Sequence, residues 1–258
     1  MMGKVPTIKR YVFFPDTQIP FHNPRQVRAL INYIGSSQPD SVIIIGDWMD
    51  YPTPSRWSQG TREEFTGSVQ RDSGIGRKLL AELRSGYSGP VHFLEGNHDA
   101  RPRTYLRDRA PALAESDAFD IENLLDFDGH GITKAPDWFE FAPGWVATHG
   151  HLGLSLSRQA GYTALNGARA IGKSLVIGHV HRLGIGSYTA GYDGRTSTLY
   201  GIEVGHMMDV RKAGYLKRGA ANWQSGFAML DTDGKTSTPT LVPMRPDGSF
   251  IADGRKWG

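Results

Sequence analysis

Four short polar clusters contain the residue types in this sequence that could carry out chemistry. They are Asp16-Thr17-Gln18, Gly46-Asp47-Trp48-Met49-Asp50, Gly96-Asn97-His98-Asp99 and Gly178-His179-Val180-His181. Each directly follows a short run of apolar residues, which predicts that it lies at the C-terminal end of a β-strand. Carboxylate, imidazole and amide groups are ligands for Mn, Fe, Zn and Mg. Because a carboxylate can hold two such ions close together, the clusters predict a two-metal site.

The clusters differ in what each could contribute to that site. Asp47 follows a glycine at a strand end, where the backbone can turn sharply, and is our candidate for the bridging carboxylate. Asn97 offers a neutral amide oxygen, which limits the negative charge around an anionic substrate. His179 and His181 are two residues apart, so an extended backbone would direct both rings to one side. His149, outside the four clusters, follows another apolar run and supplies a further imidazole.

The elements that must position these clusters follow from the spacing of apolar residues. Strands are predicted at 11–14, 41–45 and 91–94, and amphipathic helices through residues 27–34 and 75–83. This alternation favours crossover connections and a largely parallel sheet, whose carboxyl ends commonly hold ligands. The remaining predicted strands lie at 138–141, 146–148, 175–177, 184–189, 196–200, 226–230 and 238–242. The stretch 51–67 is rich in Pro, Ser, Thr and Gly and predicts a loop, and 112–125 predicts a helix.

The composition narrows the class of protein. The chain has 258 residues, 39% hydrophobic and 21% charged, which suits one globular α/β domain spanning residues 1–258. No apolar run is long enough to cross a bilayer, and residues 1–6 lack the apolar core of a secretory signal. The absence of cysteine excludes disulfides and thiolate ligands and favours a cytoplasmic location. A net charge of +3 suits an anionic substrate but does not by itself indicate nucleic-acid binding.

Together with His149, the clusters resemble the calcineurin-like metallophosphoesterase superfamily. Its members carry, in this order, Asp-x-His, Gly-Asp-x-x-Asp, Gly-Asn-His-Asp or -Glu, a His followed by Gly, and Gly-His-x-His. The resemblance runs from Asp16 to His181. The sequence at residues 15–23 and 222–227 is also similar to that of members encoded by phages and bacteria. It implies a four-layer α/β/β/α sandwich, with two packed mixed β-sheets flanked by helices. For a phage protein it implies a place in the host cytoplasm.

The resemblance also implies a role for each candidate residue. The first metal ion would be bound by Asp16, Asp47 and His181, and the second by Asp47, Asn97, His149 and His179. The ions are expected to be Mn²⁺, with Fe, Zn, Mg and Ni as alternatives. His98 and Asp99 are the expected catalytic pair: His98 would protonate the leaving oxygen or bind the phosphate, and Asp99 would orient its ring. Asp50 would support the site from behind the ligands.

Gln18 departs from the family pattern, because most members have histidine at this position. An amide oxygen can ligate a hard divalent ion, but it is a weaker donor than imidazole. Three outcomes stay open: Gln18 ligates the first metal ion, contacts it through water, or only shapes the pocket. His22 is an alternative ligand if its side chain turns inward. We expect the first ion to be the more weakly held of the two.

The expected function is dinuclear metal-dependent hydrolysis of a phosphate ester by a metal-activated hydroxide. Gly-Asn-His-Asp together with Gly-His-Val-His resembles the diesterase branches of the family, so we expect a phosphodiesterase acting on a nucleotide or a nucleic acid. A serine/threonine-type phosphomonoesterase is the enzymatic alternative. A non-catalytic binding module with a partly decayed metal site is the alternative from another class. The sequence does not define the oligomeric state.

A second phosphate-binding pattern in the sequence is a coincidence. Residues 167–174 match Gly-x-x-x-x-Gly-Lys-Ser, but a phosphate-binding loop of that kind needs a strand before it and a helix after it. Here a helix-like segment precedes the pattern and a strand follows it. We therefore expect a helix that ends near Gly172, with Lys173 in the turn.

Basic and aromatic residues near the clusters have two interpretations. Arginines between positions 56 and 109 flank Gly96-Asn97-His98-Asp99, and we favour a solvated basic face over a rim that steers phosphates. Trp48, Tyr51 and Trp57 could stack a nucleobase, although aromatic residues in loops more often pack. We expect His151 to be a surface or packing residue and His206 a pocket wall.

Overall fold

The computed structural model describes residues 7–212 and 221–258, so the expectation for residues 1–6 lies outside the described residues. In chain order, the elements are β1 (Lys9–Phe14), α1 (Pro24–Ser37), β2 (Ser41–Ile44), α2 (Arg62–Thr66), α3 (Val69–Gly86), β3 (Val91–Phe93), α4 (Arg101–Arg109), α5 (Ile121–Leu124), α6 (Phe127–His130), β4 (Ile132–Lys134), β5 (Phe139–Ala142), β6 (Trp145–Thr148), α7 (Tyr162–Ile171), β7 (Ser174–Ile177), β8 (Leu183–Tyr192), β9 (Arg195–Val204), β10 (Gly226–Thr232), β11 (Ser237–Pro243), β12 (Phe250–Ala252) and β13 (Arg255–Trp257).

The strands form two mixed sheets. The first has the order β11-β10-β1-β2-β3-β4, in which β1 to β4 are parallel and β10 pairs antiparallel with β1 and β11. The second has the order β5-β6-β7-β9-β8, with β6, β7 and β9 parallel and the edge strands β5 and β8 antiparallel. Strands β12 and β13 form a separate hairpin. The strands of both sheets lie close to their predicted positions except β4, which was not predicted.

Alternation along β1 shows how the layers are stacked. Tyr11 and Phe13 point toward the second sheet and share a buried cluster with Trp145. Val12 and Phe14 point to the opposite face, where they pack in a cluster that includes residues of α1 and α3. Because side chains alternate between the faces of a strand, one short sequence serves two apolar layers. The outer face of the second sheet packs on α7, which completes the four-layer α/β/β/α sandwich and confirms the predicted fold class.

Helix α1 illustrates how local sequence fixes an element beside the clusters. Asn23 precedes the helix, and its side-chain oxygen accepts hydrogen bonds from the backbone N–H groups of Arg25 (3.0 Å) and Gln26 (3.4 Å). Pro24 occupies the first turn, where its missing N–H costs no hydrogen bond. The apolar residues predicted to face the core are buried. The helix therefore starts a few residues after Asp16 and Gln18 and holds their loop in place.

Two predictions for helical and loop segments were wrong. The predicted loop 51–67 contains α2, which Thr61 caps through its hydroxyl. The predicted helix 112–125 is broken into 3₁₀ turns at Pro111–Leu113 and Asp117–Phe119, followed by α5. Within this stretch, Ser116 Oγ accepts a hydrogen bond from the Ala118 N–H. Short polar side chains compete for backbone groups in this way, which explains why the apolar spacing overestimated the helix.

Helix α7 settles the coincidental phosphate-loop pattern. The helix ends at Ile171, and Gly172 follows with a left-handed φ of 70°. Lys173 lies in the turn and forms an ion pair with Glu140 (2.6 Å). Strand β7 begins at the next residue. The order is helix, turn and strand, as predicted, so no helix N-terminus is available to meet a phosphate.

Within residues 7–212 and 221–258, no helix combines the length and the apolar character needed to cross a bilayer.

Candidate metal centre

The predicted ligands come together where strands of both sheets end. Asp16, Asp47 and Asn97 follow β1, β2 and β3 of the first sheet, whereas His149 follows β6 and His179 and His181 follow β7 of the second. Backbone hydrogen bonds join the loops that follow β1 and β2: the N–H groups of Thr17 and Gln18 donate to the Asp47 carbonyl at 3.0 and 2.9 Å. The candidate site therefore lies across the junction between the two sheets.

Asp47 lies at the centre of this group. Its Oδ2 accepts a hydrogen bond from Gln18 Nε2 (3.0 Å) and lies 3.3 Å from His149 Nε2. Its Oδ1 accepts a hydrogen bond from the backbone N–H of His98 (2.8 Å). One ligand atom from each of Asp47, His149 and His179 lies within 4.8 Å of the others. A buried carboxylate and two imidazoles at this separation fit a divalent cation.

The charge state of Asp47 suits this role. Burial alone would raise the pKa of its carboxyl group, but the charges of His149 and His98 and the hydrogen bonds from both residues hold the pKa well below its usual value. Conversely, burial alone would lower the pKa of His149, but Asp47 raises it to about 9. The pair is therefore ionised near neutral pH, and a bound cation would compete with the imidazole proton for the same atoms.

His149 is held in the orientation that a ligand needs. Its Nδ1 lies 3.0 Å from the Ile45 carbonyl oxygen, which can only accept a hydrogen bond, so Nδ1 carries a proton in both the charged and the neutral ring, and the proton that a metal ion would displace is the one on Nε2. Its Nε2 lies 3.2 Å from Asn97 Oδ1 and 3.3 Å from Asp47 Oδ2. A hydrogen bond from one ring nitrogen to a carbonyl is the usual way in which a protein aims the other nitrogen at a metal ion.

Asp16 anchors the loop that follows β7. Both of its side-chain oxygens lie within hydrogen-bond distance of the His179 backbone N–H (3.1 and 2.9 Å), and its Oδ2 lies 3.3 Å from His181 Nε2. Burial, followed by the charge of His149, lowers the pKa of His179 to about 4, so this imidazole is neutral and able to ligate.

Gln18 lies where the first metal ion would be bound. Its Nε2 is 3.0 Å from Asp47 Oδ2 and 3.4 Å from His181 Nε2, so the amide spans two predicted ligands of that ion. Its Oε1 and His181 Nδ1 are buried without a hydrogen-bond partner among the described residues. Rotating the amide by 180° exchanges the nitrogen and the oxygen and would aim Oε1 at the same two ligands. A cation at this position would have an oxygen donor in Gln18 only with the amide in the rotated orientation, so direct ligation by Gln18 stays a prediction.

Two glycines of the motifs make room for carboxylates. A methyl group on Gly96 would collide with Asp47 Oδ1, and one on Gly178 would collide with Asp16 Oδ1. Glycine is needed where backbone approaches another group this closely. The glycines of Gly-Asn-His-Asp and Gly-His-Val-His thus form part of the cradle for the predicted ligands.

Several candidate ligands have unusual backbone conformations. Gln18, Asp47, His179 and His181 have φ values of 58°, 49°, 64° and 56°, in the left-handed region that non-glycine residues rarely occupy. The expected extended backbone between His179 and His181 is therefore wrong. Each such residue costs on the order of 1–3 kcal/mol and persists only where its surroundings enforce it.

His98 has a different carboxylate partner from the one predicted. Its Nδ1 lies 2.7 Å from Asp50 Oδ1, and Arg101 Nη2 lies 3.1 Å from its Nε2. Asp50, rather than Asp99, therefore orients the ring. Because a guanidinium can only donate, Nε2 accepts this hydrogen bond and the proton of the ring is on Nδ1. Arg101 also donates to the Asp50 carbonyl through Nη1 (2.6 Å).

Asp99 hydrogen-bonds to the backbone of two loops instead of to His98. Its oxygens accept hydrogen bonds from the backbone N–H groups of Met49 (2.8 Å) and Gly96 (2.9 Å). Burial and the nearby charge of Asp47 raise its pKa well above the usual value. Asp99 thus holds the Asp47 and Asn97 loops against each other, and the expectation that it orients His98 is wrong.

The sequence singles out two further histidines, His22 and His151. Burial and the charges of Lys212 and Arg28 lower the pKa of His22 to about 4, and the alternative role of His22 as a ligand stays a prediction. The ring of His151 lies 5.2 Å from that of His149 and 6.3 Å from that of His179, so His151 borders the site. Its position two residues after His149 was the signal available in the sequence.

His206 and Trp223 form a wall beside His181. The His206 ring is stacked on the His181 ring, with 5.3 Å between the ring centres. The Trp223 ring makes an edge contact with the same His181 ring, with 4.4 Å between the ring centres. The Met208 backbone N–H donates to His206 Nδ1 (3.1 Å), so the ring proton is on Nε2 and that atom is a donor rather than a metal ligand. His206 thus packs against a predicted ligand, and its expected role as a pocket wall stays a prediction.

The aromatic and basic residues separate into two groups. Trp48 and Tyr51 are fully buried and pack in the core, whereas Trp57 is 74% exposed. Arg103 forms ion pairs with Glu95 and Asp120, but Arg101 contacts His98. Sequence reasoning grouped Arg101 with the surface arginines, because nothing in the local pattern distinguishes it from them.

Comparison with known proteins gives consistent results. A family model described as calcineurin-like phosphoesterase matches residues 9–183. The gene 54 protein of Mycobacterium phage L5 is 49% identical over 252 residues, which cover 96% of this chain and 98% of that protein. The gene 54 protein of Mycobacterium phage D29 is 48% identical over the same length, with the same coverage.

Solved structures with a similar arrangement include two Vps29 proteins. A single mutant of Vps29 from Entamoeba histolytica is similar with a TM-score of 0.46 and 13% identity, over 96% of this chain and 95% of that chain. Vps29 from Cryptosporidium parvum is similar with a TM-score of 0.45 and 14% identity, over 96% and 94%.

Proposed function

Because this chain belongs to the calcineurin-like phosphoesterase family, we propose that it is a dinuclear metal-dependent phosphodiesterase that acts on a nucleotide or nucleic-acid phosphodiester. The observation that carries the proposal is the convergence of Asp47, His149 and His179, whose ligand atoms lie within 4.8 Å of one another. Asp16, Asn97 and His181 surround this group with further oxygen and nitrogen donors. The relatives encoded by phages suggest a place of action in the host cytoplasm.

The donor set supports two divalent ions. Asp16, Gln18, Asp47 and His181 would hold the first, and Asp47, Asn97, His149 and His179 the second. When bound, such ions make water more acidic and neutralise charge on a phosphate. Oxygen and imidazole donors without thiolate are compatible with Mn²⁺, our first choice, and with Fe, Zn, Mg or Ni.

His98 and Arg101 would act on the substrate. Since His98 Nδ1 faces Asp50, a proton that reaches the leaving oxygen has to come from Nε2. Arg101 Nη2 now donates to that nitrogen. A substrate phosphate oxygen would attract the guanidinium and free Nε2 to take up and deliver a proton. Asp50 keeps the ring turned toward this position throughout.

Room beside the ligands favours a diester over a monoester. A cleft of about 410 Å³ includes Asn97 and His98 in its lining and continues toward Trp57. This volume is within the usual range of about 300–1,000 Å³ for small-molecule sites. A phosphate held at the metal ligands could therefore carry a second ester group into the cleft.

The decisive experiment compares two chromogenic esters on chelator-treated protein before and after Mn²⁺ is added. Bis(4-nitrophenyl) phosphate should be hydrolysed faster than 4-nitrophenyl phosphate, and only with the metal present. Faster hydrolysis of the monoester would favour a phosphomonoesterase of the serine/threonine type. No hydrolysis of either ester, together with no retained metal, would favour a non-catalytic binding module.

A further inference from the structure

The cleft beside the candidate ligands has one exposed aromatic wall. Trp57 is 74% exposed and lies in the same cleft as Asn97 and His98. The guanidinium of Arg56 lies 4.7 Å from the centre of the Trp57 ring. Since a cation over one face leaves the other face available, the indole offers a flat surface to a planar group. Trp48 and Tyr51 offer none, because both are fully buried.

The Trp57 loop is held by hydrogen bonds on both sides. Ser58 Oγ lies 2.5 Å from the Thr53 carbonyl oxygen and 2.7 Å from the Ser55 carbonyl oxygen, and its O–H is shared between these two acceptors within the loop. Gln59 accepts a hydrogen bond from Arg109, at the end of α4. Farther along the chain, Glu64 accepts hydrogen bonds from the Gly60 N–H (2.6 Å) and the Tyr105 hydroxyl (2.6 Å). The exposed indole therefore belongs to a segment that is fastened to α4.

The other side of the cleft carries a cation and hydrogen-bonding groups. Arg101 lines the cleft together with His98, and its Nη2 lies 3.1 Å from His98 Nε2. Gln59, Thr104 and Asp108 supply amide, hydroxyl and carboxylate groups to the lining. One cleft thus combines a metal-binding donor, a guanidinium and an exposed aromatic ring with polar neighbours. A nucleoside phosphate presents groups that match these three features: a phosphate, a sugar with hydroxyl groups and a flat base.

We propose that this cleft is the nucleoside subsite of the enzyme, in which the base stacks on Trp57 while Arg101 contacts the phosphate. The proposal rests on the proposed phosphodiesterase function, but its central claim concerns binding and can be measured separately. Stacking of a base on an aromatic residue tolerates any base, so the subsite selects nucleosides over simple esters rather than one base over another.

A binding experiment tests the subsite without turnover. On chelator-treated protein, calorimetry should show that AMP binds more tightly than ribose 5-phosphate, which lacks the base. Trp57→Ala should weaken AMP binding by about tenfold and leave ribose 5-phosphate unchanged, while Trp57→Phe should keep most of the AMP affinity. Tyr192→Ala is the matched control, since Tyr192 is 89% exposed near the end of the β8–β9 hairpin. Equal affinities for the two ligands, or no effect of Trp57→Ala, would overturn the proposal.

A kinetic experiment with Mn²⁺ separates this proposal from the proposed function. Thymidine 5′-(4-nitrophenyl phosphate) and methyl 4-nitrophenyl phosphate share a leaving group but differ in the nucleoside. Trp57→Ala should raise KM for the thymidine ester by about tenfold, with kcat nearly unchanged, and should not affect the methyl ester. If the wild type cleaves neither ester but binds AMP through Trp57, the phosphodiesterase function fails while the subsite stands. If it cleaves both and Trp57→Ala changes neither KM, the subsite fails while the function stands.

The same variant distinguishes two sources of the nucleoside. 3′,5′-cyclic AMP represents a free nucleotide, and the dinucleotide ApA represents a nucleic-acid strand. A Trp57-dependent KM for either supports the subsite, and the substrate with the higher kcat/KM identifies the source. A KM that does not depend on Trp57 for both would overturn the proposal.

Discussion

At the scale of single residues, the candidate site is organised around one carboxylate. Asp47 contacts Gln18 and His149 with Oδ2 and the His98 backbone with Oδ1, so it joins three loops. The neighbouring imidazoles keep it ionised despite its burial. A group in this position cannot be replaced by a neutral one without altering both predicted metal sites.

Asp47→Asn should therefore remove bound metal and lower diesterase activity. The loss of activity should exceed the roughly 10–100-fold that is usual when a residue that only hydrogen-bonds to a metal ligand is replaced. Metal content by mass spectrometry and turnover of the chromogenic diester measure the two effects. Asp72→Asn is the control, because Asp72 is also buried but lies on α3 and pairs with Arg71. Full turnover in Asp47→Asn would contradict the two-metal assignment.

The partners of His98 lead to a second prediction. Asp50→Ala should lower kcat by about 10–100-fold and leave metal content unchanged, because the ring loses its orienting carboxylate but no ligand. Asp99→Asn should act mainly on folding, since its amide nitrogen cannot accept one of the two backbone hydrogen bonds. That loss should cost about 1–3 kcal/mol of unfolding free energy in urea titration. A larger kcat effect from Asp99 than from Asp50 would show that the structure misassigns the partner.

At the scale of elements, the sequence predicted most strands from their apolar residues, but it missed the three-residue strands β4, β12 and β13, which are too short to show a pattern of such residues. The same sequence could not reveal α4, since a helix with four arginines in nine residues has no apolar stripe to detect. It also could not separate Asp50 from Asp99. Asp99 is adjacent to His98 in sequence, but folding of the Gly96–Asp99 turn aims it at the Gly96 and Met49 N–H groups. Contacts between loops of different strands decide such partnerships.

The loop between β1 and α1 gives a prediction about pH. Burial and the charges of Lys212 and Arg28 lower the pKa of folded His22 to about 4, whereas the unfolded chain has a pKa near 6.5. Between these values the unfolded state binds a proton that the folded state does not, so stability is full above pH 6.5 and falls as the pH drops toward 4. The loss approaches about 3 kcal/mol.

His22→Gln should reduce this acid sensitivity. Urea unfolding of chelator-treated protein at several pH values between 7 and 4 measures this acid sensitivity. His130→Gln on α6 serves as the control, because His130 is partly exposed. Identical pH slopes for the wild type and His22→Gln would contradict the assignment.

At the scale of the whole molecule, the candidate site connects the two sheets. Asp16, Asp47 and Asn97 belong to loops of the first sheet, and His149, His179 and His181 to loops of the second. Ions bound by both sets would stabilise the folded state by mass action, by about 2.7 kcal/mol at a metal concentration one hundred times Kd.

The Tm measured by calorimetry should accordingly be several degrees higher with Mn²⁺ than for the chelator-treated protein. The increase should disappear in Asp47→Asn and persist in Asp72→Asn. An equal increase in Asp47→Asn would show that the metal binds elsewhere on the chain.

The left-handed backbone at Gln18, Asp47, His179 and His181 has a consequence for how this protein can change during evolution. Glycine adopts that conformation without the steric cost that a side chain carries there. A lineage freed from selection for catalysis would therefore gain stability from substitutions that also abolish metal binding. We expect descendants of this fold that have lost their chemistry to keep their sheets intact and to carry Gly at some of these four positions.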